Sequence, residues 1–156
     1  MSGLQLRIDI SYFRRLTKRL ERVLHQSEHT EPVMRDAAQY MVNSTRNRIL
    51  RTKTGPDGEK WAAISALTAE LKGSTTIMFE TGDLARSVQV GDVSNDGFMI
   101  FTDADQASWL QDGVRQVKGK YRPKKARPQI PPRRFMGFSQ SNLKRISKMI
   151  HDHLAE

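Results

Sequence analysis

Val88-Gln89-Val90-Gly91-Asp92-Val93 and Phe98-Met99-Ile100-Phe101-Thr102, joined through Ser94-Asn95-Asp96-Gly97, decide the fold. Each run reads as a strand. Asn95-Asp96-Gly97 reads as the turn between them, because a tight reversal needs backbone angles that Asn, Asp and Gly tolerate best. A hairpin in a chain whose longer apolar periods are helical predicts an α+β protein rather than a helical bundle.

Towards the N-terminus, Leu4, Leu6, Ile8 and Ile10 alternate, which predicts a strand with one apolar face. From Tyr12 to Gln26 the period changes. Phe13, Leu16, Leu20, Val23 and Leu24 recur at helical spacing, and Asp9 or Ser11 is placed to cap the start. Thr30-Glu31-Pro32 opens a second helix, expected to run to about Arg51 and to bury Met34, Ala37, Ala38, Met41, Thr45 and Ile49. Thr54-Gly55-Pro56-Asp57-Gly58 is a turn, with Gly58 supplying positive φ. Behind it come the anchor Trp61 and a helical spacing of Ile64, Leu67 and Leu71.

Ile77–Phe79 reads as a further strand. Gly82 is expected at a tight bend, with Thr81 or Asp83 capping one helical turn that carries Leu84. After the hairpin, Ala107–Leu110 predicts a short helix stopped by Gly113. The stretch 114–129 has no apolar period and contains Gly119, Pro123 and Pro128, so it reads as an extended arm. Ile130–Phe138 is rich in proline and is pinned by Phe135 and Phe138. Ser139 or Ser141 caps a last helix with Leu143, Ile146, Ile150 and Leu154 on its apolar face. The expectation is one domain over 1–156. A small antiparallel sheet is packed by two longer N-terminal helices and a C-terminal helix, and a basic arm extends from it.

Charge is distributed unevenly. Nine of the 26 cations lie between Val114 and Arg134: Arg115, Lys118, Lys120, Arg122, Lys124, Lys125, Arg127, Arg133 and Arg134. That stretch holds no acid, so the rest of the chain carries 17 cations against all 17 acids and is neutral. A local patch of this kind should meet phosphate or an acidic protein surface. The nine cations are therefore the candidate contacts to a partner or to DNA.

The residues offer no catalytic constellation. With no cysteine there is no disulfide, thiolate zinc site or cysteine nucleophile. His25, His29, His151 and His153 form two terminal clusters, and the i, i+2 pair around Asp152 points to different helix faces. Ser87 has no evident base, and no glycine-rich phosphate loop is present. No enzymatic activity, cofactor or metal is expected. No apolar run approaches the length of a membrane span, and the N-terminus lacks the basic-then-apolar order of a signal peptide, so no membrane partner is expected.

Three blocks resemble the phage virion morphogenesis family. Pro56-Asp57-Gly58-Glu59-Lys60-Trp61 followed by Ser65–Thr68 is similar to its opening block. Ile77-Met78-Phe79-Glu80-Thr81-Gly82-Asp83-Leu84-Ala85-Arg86-Ser87-Val88 is similar to its central leucine-x-x-threonine-glycine-x-leucine-x-x-serine block, and Ile130–Ser139 to its third. Ala107-Ser108-Trp109-Leu110-Gln111-Asp112-Gly113 keeps the Ala, Gln and Gly of a further segment, with Leu110 where the family usually has His. The resemblance implies a non-enzymatic tail-completion or neck protein at the head–tail junction, as in Mu-like contractile-tailed phages. It implies a homo-oligomeric ring, six-fold by analogy with tails, that contacts neighbouring neck, tail-tube or sheath proteins. Genome DNA would pass through the ring. The protein would reside in the virion, and in the host cytoplasm during assembly. The rival class is a stand-alone nucleic-acid-binding module using the arm, but only Tyr121 is an aromatic residue interleaved with the cations.

Overall fold

A computed structural model describes residues 3–9, 29–78, 82–114 and 130–155. Three antiparallel strands form the sheet: β1 (Leu4–Asp9), β2 (Gln89–Ser94) and β3 (Gly97–Thr102), in the order β1-β3-β2. The Asn95-Asp96 turn joins β2 to β3 as the sequence predicts, and β1 lies along the other side of β3 with Leu4 opposite Thr102 and Ile8 opposite Phe98. Pairing between β2 and β3 is irregular between Val90 and Val93. Alternation puts Phe98, Ile100 and Thr102 on the buried face of β3 and leaves Met99 and Phe101 half-buried on the other.

Helix α1 (Glu31–Asn47) covers the buried face of the sheet. Its stripe of Met34, Ala37, Ala38, Met41 and Thr45 is buried as expected, together with Val33 and Val42. Pro32 sits in the first turn, where no intrahelical N–H is needed. The cap is tertiary. Thr30 Oγ1 donates to the carbonyl of Asn95 at 2.6 Å, and the Glu31 N–H donates to Asn95 Oδ1 at 2.9 Å. The hairpin turn therefore caps the helix that lies across its own sheet. Beyond Asn47 the helix widens into a π-turn, Arg48–Thr52, which ends at Lys53 in the left-handed region with φ 53°.

Helix α2 (Ala66–Lys72) forms from local signals. Ser65 Oγ accepts the Thr68 N–H at 3.2 Å, and Gly73 stops the helix at φ 64°. Helices α3 (Asp83–Ser87) and α4 (Ala107–Asp112) are short. Helix α5 (Gln140–Ala155) packs on α1 through Leu143, Ile146 and Ile150, all buried. Its start is a reciprocal capping box. The Asn142 N–H donates to Ser139 Oγ and the Ser139 N–H to Asn142 Oδ1, both at 3.0 Å. Each large side chain buried in this seam contributes about 1.5–3 kcal/mol relative to exposure.

The α+β class holds, with one correction. No strand forms at Ile77–Phe79 in the part described. Ile77 and Met78 make a turn with Met78 at φ 53°, a conformation a strand cannot accommodate. Leu67 and Leu71 lie on helix α2 as their spacing predicts, 60% and 80% exposed. The helix expected over Tyr12–Gln26 and the arm from Arg115 to Gln129 lie outside the described residues, as do Phe79 and Thr81.

Candidate functional site

Pro131–Phe138 crosses the body without joining the sheet, so its backbone polar groups need other partners. Side chains from three distant segments supply several of them. Gln111 Oε1 accepts the N–H groups of Phe135 and Met136 at 3.1 Å each, and its Nε2 donates to the Met136 carbonyl at 3.0 Å. Trp61 Nε1 donates to the Arg134 carbonyl at 3.0 Å. Arg48 Nη1 donates to the carbonyls of Phe135 and Gly137 at 3.1 and 2.7 Å, and Nη2 donates to Asn142 Oδ1. The Asn142 amide in turn donates to Tyr40 Oη and Ser44 Oγ, both at 3.0 Å. Phe135 is completely buried in the middle of this clasp.

Approach is close on both sides. A Cβ on Gly137 would lie 2.7 Å from Pro56 Cγ, and one on Gly55 would lie 3.2 Å from the Arg134 carbonyl. The clasp therefore joins the turn 54–61 to the segment 133–138, two stretches that lie far apart in the chain. Burial lowers the pKa of Arg48 from the ordinary arginine value, while Tyr40 and the Asp57 carboxylate pull it back up. Arg48 remains the charged donor at physiological pH.

Arg133 corrects the reading of the nine cations as one exposed set. It is 5% exposed, with Nε donating to the Ala62 carbonyl at 2.9 Å and Nη2 to that of Ala63 at 3.1 Å. Its own N–H donates to the Leu110 carbonyl at 2.6 Å. A buried cation can be stabilised by backbone carbonyls instead of acids, so a lack of nearby Asp and Glu does not force it outward. Burial lowers its pKa as well. Arg134 is exposed, and Arg115, Lys118, Lys120, Arg122, Lys124, Lys125 and Arg127 lie outside the described residues.

The other anchors take structural positions. Gly58 has φ 81° at an open turn, and Gly82 has φ 80° as the N-cap of α3. Gly82 itself occupies the cap position of α3, with Asp83 in the first turn. Leu84 and Trp61 are buried at 5% and 8%. Arg46 receives the end of α3, donating to the carbonyls of Ala85 and Val88 at 3.0 and 2.8 Å. Ser87 Oγ lies 2.8 Å from the Leu84 carbonyl and 2.6 Å from Thr102 Oγ1, pinning α3 to β3. His153 Nε2 lies 2.9 Å from the His29 carbonyl, which ties the end of α5 to the start of α1.

An open pocket of about 300 Å³ sits on the outer side of the clasp, between Pro56, Asp57, Glu59, Trp61, Pro132 and Arg134. It combines an aromatic and proline wall with charges of both signs, and none of its lining residues is His, Ser or Cys. Lys60 also lines it, beside the carboxylates of Asp57 and Glu59. Among the described residues, no group of three or more His, Cys, Asp or Glu could hold a metal ion. No helix among them is long and apolar enough to cross a membrane.

Sequence reasoning missed Arg48 and Asn142, and noted Gln111 only as the Gln kept from a family segment. Arg48 continues the buried stripe at i+3 from Thr45, and that spacing was its only signal.

The conspicuous polar groups of the clasp serve the architecture of the chain itself. The phage virion morphogenesis family matches residues 12–155, and the chain belongs to that family of bacteriophage virion proteins. No curated protein and no solved structure matches it.

Proposed function

We propose that this protein is a tail-completion or neck subunit that works at the head–tail junction through protein–protein contacts and without catalysis. The observation that carries the reading is the family match, which spans both halves of the clasp. Large apolar side chains left outside the core, Leu67, Leu71 and Trp109, support a subunit that gains contacts in an assembly. The body makes subunit contacts in a ring, six-fold by analogy with the symmetry of tails. The basic arm and the exposed side of the proline-rich segment reach neighbouring neck, tail-tube or sheath proteins, and genome DNA passes through the channel.

The test is complementation of a phage lacking this protein. Replacing Lys118, Lys120, Lys124, Lys125 and Arg127 together with Ser should leave the folded body intact and block the joining of heads to tails. Separate heads and tails should then appear under the electron microscope. Fully infectious particles from the five-fold variant would remove the arm from the junction. Salt-sensitive DNA binding by the isolated protein, lost in the same variant, would favour the nucleic-acid reading instead.

A further inference from the structure

Helix α4 presents an aromatic face that the fold does not use. Trp109 is 56% exposed, although Ala107 on the same helix is completely buried. Asp112, at i+3 from Trp109, shares its side of the helix, Asp105 stands in the turn that leads into it, and both are exposed. Neither carboxylate forms an ion pair with another described residue. Ile130, 37% exposed, lies beside the end of the helix, where the Val114 N–H donates to the Ile130 carbonyl at 2.9 Å. An exposed indole with exposed carboxylates in the same short segment, neither of them in an ion pair among the described residues, is suited to a Lys or Arg side chain, which gains cation–π attraction and a counter-charge together.

The same chain carries such side chains. Residues 115–129 hold seven cations and no acid. The Val114–Ile130 pair fixes both ends of this segment at the end of α4. Doubled back on itself, a segment of this length reaches at most about 25 Å from its root. We propose that the Asp105–Trp109–Asp112 face is the docking surface for the basic segment of a second copy of this chain. Charge complementarity selects that occupant, because the segment has no acid of its own and the face has no cation. Arm and face are different surfaces of one subunit, so the contact is head-to-tail, and repetition closes a ring or extends a filament. The proposal rests on the ring reading given above and deepens it by naming the contact.

The experiment uses the full chain and sedimentation velocity at low and high salt. Wild-type protein should self-associate at low salt and dissociate as salt rises. Trp109→Ala with Asp105→Asn and Asp112→Asn should weaken association at least tenfold while leaving the thermal midpoint unchanged, since all three side chains are exposed. The five-fold arm variant should also be monomeric. Mixed in equal amounts, the face variant and the arm variant should form dimers, because one supplies an intact arm and the other an intact face. Wild-type association that survives in the face variant overturns this proposal and leaves the ring reading standing. Two variants that stay monomeric when mixed place the contact within one chain and also overturn it. Wild-type protein that never associates, alone or in particles, overturns both readings.

Discussion

Arg48 and Asn142 are 94 residues apart in the chain, and the guanidinium of the first donates to the amide oxygen of the second in the buried interior. The contact holds the π-turn at the end of α1 against the first turn of α5, and the same guanidinium carries the carbonyls of Phe135 and Gly137. One side chain thus secures three chain segments. Removing it takes the Arg48 donors from the Phe135 and Gly137 carbonyls, while Asn142 Oδ1 keeps the Ser139 N–H.

Arg48→Ala should therefore destabilise the protein by about 3–5 kcal/mol, because desolvated acceptors are costlier than the loss of one hydrogen bond. Arg48→Lys should recover only part of this, since an ammonium group cannot reproduce the planar fork. Urea unfolding of the two variants measures both differences. A loss under 1 kcal/mol for the alanine variant would show that the clasp is not held by Arg48.

Two glycines with positive φ should respond unequally. Gly113, at φ 74°, would place a Cβ 2.6 Å from the Ile130 carbonyl and 2.8 Å from Pro132 N, whereas Gly58, at φ 81°, would meet nothing within 4 Å. Gly58→Ala should cost about 1 kcal/mol through backbone strain alone. Gly113→Ala adds a clash with immobile backbone and should cost roughly 2–5 kcal/mol. Thermal melting in parallel ranks them, and equal losses would contradict the close approach at Gly113.

Asn95 serves the hairpin turn and the start of α1 together, accepting from Thr30 through its carbonyl and from Glu31 through its side chain. Asn95→Ala removes only the side-chain cap and should cost about 1 kcal/mol. Hydrogen exchange at the first turn of α1 should quicken in this variant while the centre of the helix is unaffected. Unchanged exchange at Glu31 would rule out the tertiary cap.

Met41 and Leu71 are both apolar residues at helical spacing, yet the first is fully buried and the second is 80% exposed. Met41→Asp places an unpaired charge in the core and should cost several kcal/mol, about 3–5. Leu71→Asp should change stability by no more than about 0.5 kcal/mol. Chemical unfolding of the two variants tests the assignment. A large loss at Leu71 would mean that α2 packs on the body after all.

Local chemistry by itself determined the elements. The Asn95-Asp96-Gly97 turn, the Thr30-Glu31-Pro32 start, the Ser139 cap and the stripe from Met34 to Ile49 follow from backbone preference and period, which act over a few residues and stand open in the chain. The family blocks were legible for the same reason, as short ordered patterns. Tertiary structure alone decided where polar groups are satisfied. Arg133 reads as one more cation of a basic stretch until the Ala62 and Ala63 carbonyls are seen around it. The helical spacing of Leu67 and Leu71 leaves open whether they are covered, and they stand exposed, while Ile77–Phe79 reads as a strand until Met78 turns to positive φ. Burial and hydrogen-bond partners depend on groups tens of residues away, brought together only when the apolar faces collapse, and no local pattern of residues encodes that pairing.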